Sequence, residues 1–280
     1  MDLKCRLIKI RSKITLFANM NQIFGVCNLA LVPLRAEPSD RSEMISQLLF
    51  GDHFEILSRN ESWVQILSAY DDYEGWIDHK QFAEVDAETI EILNNENIIL
   101  GLKIHHPVRH LITEEIINLV AGSSLPAYEN GRFRIGENIY SVLHPPLKPD
   151  LNSFASEIVN TAKFYLNTPY QWGGRSPFGI DCSGFCQVVF KQFGIRIKRD
   201  AWQQALQGNT VDFLQQARPG DLAFFDNAEG KIIHVGIMLG NNRIIHASGR
   251  VKIDEIDTEG IYSAELKRYS HKLRIIKRFA

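Results

Sequence analysis

The sequence predicts an α+β protein: two small β units followed by an α+β domain. Three observations predict it. Residues 24–83 hold short, alternating apolar runs separated by turn residues. Pro145, Pro146 and Pro149 then interrupt the chain. Beyond them the apolar spacing turns helical, and later returns to the strand period of two. The 280 residues are 45% apolar and 23% charged, close to the globular average. That composition excludes collagenous, coiled-coil and disordered chains.

The elements follow in order. Residues 28–34 read as a strand, and residues 48–52 lead from apolar chain into a turn. Residues 54–57 and 63–67 alternate in the strand manner, and residues 73–77 close the set. Five short strands over residues 23–83 suggest a small barrel. Residues 84–144 read as a second, less regular β-rich unit, with turns at Gly122-Ser-Ser-Leu-Pro and Glu129-Asn-Gly. Residues 145–150 form the linker. In residues 151–280, Phe154, Ile158, Ala162 and Tyr165 recur at helical spacing. Cys182, Cys186, Val189, Phe190 and Phe193 mark a second helix. Residues 222–225, 232–239 and 243–247 read as an antiparallel meander.

The net charge of −2 argues against a nucleic-acid binder, which would carry a basic surplus. It is unevenly spread. Lys4, Arg6, Lys9, Arg11 and Lys13 stand against Asp2 alone in residues 1–19, leaving −6 for the rest. Met20 stands at that boundary, so residues 1–22 read as an upstream start or a basic extension. No run reaches the roughly 18 apolar residues of a membrane span. The apolar stretch after the basic start is broken by Asn19, Asn21, Gln22 and Asn28 and lacks a small-residue cleavage site. A cytoplasmic location is therefore expected, with export to the periplasm or cell surface as the alternative. Cys5, Cys27, Cys182 and Cys186 include no C-x-x-C pair and make no disulfide framework. His105, His106 and His110 lack partners at metal spacing. No metal and no cofactor are expected.

The chemistry concentrates in the last domain. A glycine-rich loop, Pro169-Tyr-Gln-Trp-Gly-Gly, runs through Gly179-Ile-Asp-Cys-Ser-Gly-Phe, so Cys182 opens a helix. Helix N-termini carry partial positive charge and free N–H groups. These lower a thiol's pKa and can hold a developing oxyanion. His234 lies in Ile232-Ile-His-Val-Gly-Ile, on the same strand face as Gly236, which leaves room beside the ring. His246 lies on the next strand, after the turn Gly240-Asn-Asn. Thiolate, base and a group orienting the base form the covalent-catalysis arrangement. Cys186, one turn after Cys182, reads as a core residue. Arg199 and Asp200 sit near the cleft without an assigned role. Trp172 and Trp76 either wall the pocket or pack.

These residues carry a resemblance. Thr168-Pro-Tyr-Gln-Trp-Gly-Gly, Asp181-Cys-Ser-Gly-Phe, Arg218-Pro-Gly-Asp-Leu-Ala-Phe-Phe, His234-Val-Gly-Ile and Ile245-His-Ala resemble, in order, the NlpC/P60 cysteine peptidases. The resemblance implies a papain-like fold that cleaves peptidoglycan stem peptides. It implies Cys182 as nucleophile, His234 as general base, His246 as the residue orienting it, and Tyr170 as an oxyanion partner. Asp181 and Ser183 would help hold the substrate's free amino end. Residues 24–83 resemble a bacterial SH3 domain through Phe24-Gly-Val-Cys-Asn, Val32-Pro-Leu-Arg-Ala-Glu-Pro-Ser and Tyr73-Glu-Gly-Trp-Ile. Residues 84–144 resemble the divergent second SH3-like domain of the same group. That architecture is similar to the γ-D-glutamyl-L-diamino acid endopeptidases. It implies a muropeptide substrate, L-Ala-γ-D-Glu-diamino acid, with meso-diaminopimelate the common diamino acid and a free L-Ala. It also implies that Tyr73 and an acid, Glu43, complete the amine pocket from the first barrel. The alternatives are a secreted hydrolase of intact peptidoglycan and a non-catalytic wall-peptide binding protein. A monomer is expected.

Overall fold

The computed structural model describes residues 22–95 and 98–280. The expectations for the basic leader, Cys5 and Met20 lie outside the described residues.

The first unit contains β1 (Ile23–Val26), β2 (Leu31–Arg35), β3 (Met44–Leu49), β4 (His53–Asn60), β5 (Trp63–Ser68), β6 (Glu74–Asp78) and β7 (Ala83–Val85). They form one sheet in the order β3-β2-β6-β5-β4-β1-β7. Alternation places the side chains: along β5, Val64, Ile66 and Ser68 are buried while Trp63, Gln65 and Leu67 are half-exposed. β1 and β7 are additional to the five expected strands. They are only four and three residues long; β1 is the apolar run Ile-Phe-Gly-Val, and β7 is the weakly patterned Ala-Glu-Val.

The second unit departs from the expectation of strands throughout. It opens with a helix, α1 (Ala87–Asn95). The Asp86 carboxylate accepts the Thr89 N–H at 2.8 Å, a side-chain bond that satisfies a free donor of the first turn. The four strands β8 (His106–His110), β9 (Ile116–Leu119), β10 (Arg132–Ile135) and β11 (Asn138–Val142) pair in the order β10-β11-β8-β9. Their core takes in Val26 and Phe50 of the first unit. The Phe50 ring meets Phe133 and Tyr140 edge-on, each at 5.6 Å. His106 bonds the Gly101 carbonyl, and His110 bonds Asn138 and Thr113, so both rings serve local structure.

The last unit begins with α2 (Phe154–Lys163), the hairpin β12 (Arg175–Ser176) and β13 (Gly179–Ile180), α3 (Cys182–Lys191) and α4 (Ala201–Gln204). Phe154, Ile158, Ala162 and Tyr165 are all buried, as their spacing requires. The strands β14 (Asn209–Val211), β15 (Leu222–Asp226), β16 (Ile232–Gly240), β17 (Arg243–Ser248), β18 (Arg250–Ile256), β19 (Gly260–Ser263) and β20 (Arg268–Arg278) follow. β15 to β19 form the expected meander. β20 then pairs with both β15 and β19 and closes a six-stranded ring, with β14 added outside it. The two strand faces bury different cores. Phe224, Val235, Ile237 and Ile245 pack with α3, whereas Phe225, Met238, Ile244 and Ile276 fill the inside of the ring.

The first unit docks on the last through buried polar contacts. Lys191 Nζ lies 3.0 Å from Asp52 Oδ1, and Arg175 Nη1 lies 3.4 Å from Asp52 Oδ2. Arg175 also donates to the Gln47 carbonyl at 2.8 Å. Burial opposes ionisation of Asp52, but Lys191 and Arg175 outweigh it and hold the carboxyl below its usual range. Gln187 of α3 donates to Asp71 at 2.9 Å.

Candidate active site

Cys182 is the first residue of α3, and Asp181 is its N-cap, accepting the Gly184 N–H at 2.6 Å. Gly173 lets the preceding loop reach β3: its φ is +76°, and a Cβ there would stand 2.3 Å from the Met44 carbonyl oxygen. That approach seats the Cys182 loop against the first barrel. The thiol is buried and is pushed up to about 12, by burial first and by Asp181 second. The N–H groups of Val235 and Ser183 and the Arg199 charge act the other way. This corrects the expectation of a lowered thiol pKa: desolvation outweighs the helix N-terminus here. Burial thus favours the neutral thiol in the resting site.

His234 on β16 faces His246 on β17, with Nε2 and Nδ1 2.8 Å apart. Gly236 pairs with His246, and a Cβ at Gly236 would stand 2.9 Å from that of His246. The expected room beside the ring is thus used. His246 Nε2 lies 3.0 Å from Asp254 Oδ2 on β18. Proton positions follow from this chain. An ionised carboxylate only accepts, so His246 carries its proton on Nε2 and accepts at Nδ1. His234 therefore donates from Nε2 and keeps its Nδ1 lone pair free as a base. Asp254 was not anticipated; its position among charged neighbours, Lys252 and Glu255, gave no signal. Burial opposes its ionisation, but bonds from His246 and Lys252 lower its pKa.

His271 on β20 is a further unanticipated member. Its ring stacks on His234 with centroids 4.0 Å apart and planes 21° apart. Nitrogens of His234, His246 and His271 lie within 4.8 Å of one another. The stacked rings keep their in-plane lone pairs in nearly parallel planes, which do not converge on one ion. The His246 lone pair is already taken by His234.

Neutral buried imidazoles link stability to pH. Burial leads in lowering His234, His246 and His271, the first of them well below 6.5 and the last to about 4. Between 6.5 and those lowered values the unfolded chain binds protons that the folded chain does not. Their contribution is full above pH 6.5 and declines as pH falls beneath it. Thermal unfolding measured from about pH 8 to about pH 5 is expected to show Tm dropping below pH 6.5, and a flat Tm would contradict neutral rings.

A cavity of about 450 Å³ lies before Cys182, lined by Glu43, Tyr73, Trp172, Ser183, Asp200 and Trp202 among others. Two domains supply its walls. The Tyr73 hydroxyl donates to Asp200 Oδ1 at 3.0 Å, and Trp172 Nε1 donates to Glu43 Oε1 at 2.5 Å. Trp172 therefore walls the cavity, whereas Trp76 pairs within the first sheet. Tyr170 is half-buried outside the lining, but Cys182 and Asp181 are among the charges that raise its hydroxyl pKa, after burial.

Asp181 lines the cavity with Cys182 and Ser183, and its carboxylate also anchors the helix start. Its carboxylate takes the N–H groups of Gly173 and Gly184, the Ser183 hydroxyl, and Nη1 and Nη2 of Arg199. Five donors fill the acceptor positions of one carboxylate. Asp181 thus also holds α3, and Asp200, a residue without an expected role, lines the same cavity. Arg199 also donates Nε to Ser46 of the first barrel at 2.9 Å. Cys186 is fully buried in the core.

Comparison with known proteins matches this layout. The pattern described as NlpC/P60 family covers residues 167–269, and that described as bacterial dipeptidyl-peptidase Sh3 domain covers residues 34–82. A γ-D-glutamyl-L-lysine dipeptidyl-peptidase of Bacillus subtilis is 33% identical over 79% of this chain and 78% of its own. The chain belongs to the NlpC/P60 family. It is a cysteine peptidase with an SH3-like N-terminal domain. A dipeptidyl-peptidase 6 of Lysinibacillus sphaericus is 30% identical over 81% of this chain and 89% of its own. A crystal structure of an NlpC/P60 family protein from Bacillus cereus superposes with TM-score 0.74 at 22% identity, covering 91% of this chain and 99% of that one, which shows the fold.

Proposed function

We propose that this NlpC/P60 peptidase is a γ-D-glutamyl-L-diamino acid endopeptidase that releases L-Ala-γ-D-Glu from stem peptides with a free N-terminus. The carrying observation is the lining of the cavity before Cys182. Glu43, Tyr73 and Asp200 line it together with Cys182, and the Arg199 charge there is already paired with Asp181. Carboxylates and a hydroxyl without a free cation suit an ammonium group. The names of the two relatives, one for γ-D-glutamyl-L-lysine and one for dipeptidyl-peptidase 6, support the same substrate class.

The proposed steps use the neutral pair. His234 Nδ1 takes the Cys182 proton as sulfur attacks the γ-glutamyl carbonyl. The imidazolium formed is stabilised through His246 and Asp254. His234 then gives the proton to the leaving amine of the diamino acid. Water, activated by the same ring, hydrolyses the thioester. The N–H groups at the start of α3, with Tyr170 nearby, suit the oxyanion. We further propose that the protein acts on free muropeptides in the cytoplasm as a monomer, which cell fractionation and sizing would check.

Mass spectrometry of digests with free and N-acetylated L-Ala-γ-D-Glu-diamino acid tests the reading. Dipeptide release from the free peptide alone is expected, and equal rates on both would overturn it. Tyr73→Phe is expected to raise KM about tenfold with a smaller effect on kcat, the size of one hydrogen bond to a charged group.

A further inference from the structure

We propose that His271 is a positioning residue for His234: its ring holds the plane of the base and keeps water from its face. The proposal rests on Cys182 and His234 reacting as a pair, and it adds a residue from the last strand to that pair.

One hydrogen bond does not fix a ring. The contact from His234 Nε2 to His246 Nδ1 sets one point and leaves rotation about the bond's axis. A second restraint must come from packing, and two rings supply it. His271 lies against the face of His234 at 4.0 Å and 21°. Phe225 lies 5.8 Å away at 46°. His246 meets His234 at 85°, an edge contact that carries the hydrogen bond instead.

His271 is itself held. Ser270 Oγ donates to the Ile261 carbonyl at 3.3 Å, so that hydroxyl accepts from His271 Nδ1–H at 2.9 Å. Phe225 and His246 bound the ring at 6.0 and 5.7 Å. The pairings of β20 shift register near this point, against β15 between Phe224 and Phe225 and against β19 between Ile261 and Tyr262. Such irregularities re-aim side chains. The same strand closes the ring of strands, so the closure delivers His271 to the base.

The charged groups around the pair are few. His234 faces His246 on β17, Lys252 on β18 and His271 on β20. His271 faces His246, Lys252 and Asp254. Asp226, Glu259 and Lys272 share its outer cavity. Burial keeps His271 uncharged near neutrality, so it stacks without repelling the imidazolium that His234 becomes. An aromatic face against a cation is attractive.

The test compares His271→Ala, His271→Leu and His271→Phe in the full chain. Two readouts are taken: kcat and KM on the free-amine peptide, and the pH dependence of Cys182 alkylation by iodoacetamide. Alkylation needs no peptide, so it reads the pair even if the substrate assignment fails. His271→Ala and His271→Leu are expected to lower kcat about 10- to 100-fold with KM within about twofold, the scale of a misplaced reacting group. Water on the exposed ring should move the acid limb of alkylation to higher pH in His271→Ala, since burial is what depresses the base. His271→Phe keeps an aromatic face and is expected to recover both readouts to within about threefold. Wild-type kcat in His271→Ala would overturn the proposal. So would His271→Phe no better than His271→Leu, which fills the space without a ring.

Discussion

Replacing Cys182 by alanine is expected to abolish dipeptide release, a loss of about 10⁴-fold or more, while the peptide still binds. The thiol is the atom that forms the covalent bond, and no other described sulfur reaches the cavity: Cys27 and Cys186 are buried in cores. His234→Ala is expected to fall nearly as far, and the double variant no further, because the two residues act as one unit. Product formation followed by mass spectrometry measures the loss. Calorimetric titration of the Cys182→Ala protein with free-amine peptide measures the retained binding. Turnover remaining in Cys182→Ala would remove the thioester route. Binding lost together with turnover would place Cys182 in recognition instead.

Asp52→Ala is expected to destabilise the protein by about 3–5 kcal/mol, the scale for breaking a buried charge pair. Lys191 and Arg175 are almost wholly enclosed, and Asp52 is the carboxylate that both approach. Its removal leaves two cations in a low-dielectric interface. Burial already pushes Lys191 below its ordinary value with Asp52 present, so deprotonation of Lys191 is the cheapest relaxation. Urea unfolding at neutral pH measures the change. The double replacement Asp52→Leu with Lys191→Met is expected to recover a large part, since Arg175 keeps its bond to Gln47 and no unpaired lysine remains. A single-variant loss under about 1 kcal/mol would mean that solvent enters the interface.

Much of this molecule was legible in the sequence for a simple reason. Local periodicity reports elements whose one face is buried, and it located β2, β4 to β6, α2, α3 and β15 to β17, while touching only the end of β3. Cys182, His234 and His246 stood out because a thiol at a helix start and two imidazoles on adjacent apolar strands are unusual neighbours. The missed parts share another physics. β20 opens with mostly charged and polar residues, Arg-Tyr-Ser-His-Lys-Leu-Arg, whose Ser-His-Lys run breaks the alternation, yet it pairs on both edges. α1 is a half-exposed helix of nine residues whose pattern was too weak to displace a β reading. Asp254, Asp200 and His271 gain their meaning from partners on other strands or another domain, and sequence order does not encode those contacts. Asp181 was legible in part. Its place beside Cys182 suggested substrate binding, and its five hydrogen bonds also tie it to the scaffold.

Arg199 reaches from the catalytic helix's N-cap to Ser46 of the first barrel, and Arg175 and Lys191 reach to Gln47 and Asp52. A gene shortened to the last 130 or so residues would therefore encode three side chains whose counterparts are missing, together with half a chamber. Domain shuffling is usually pictured as exchanging a binding module for another while the enzyme carries on. Here the module is a wall of the reaction vessel, so the barrel and the peptidase are expected to be inherited, and lost, together.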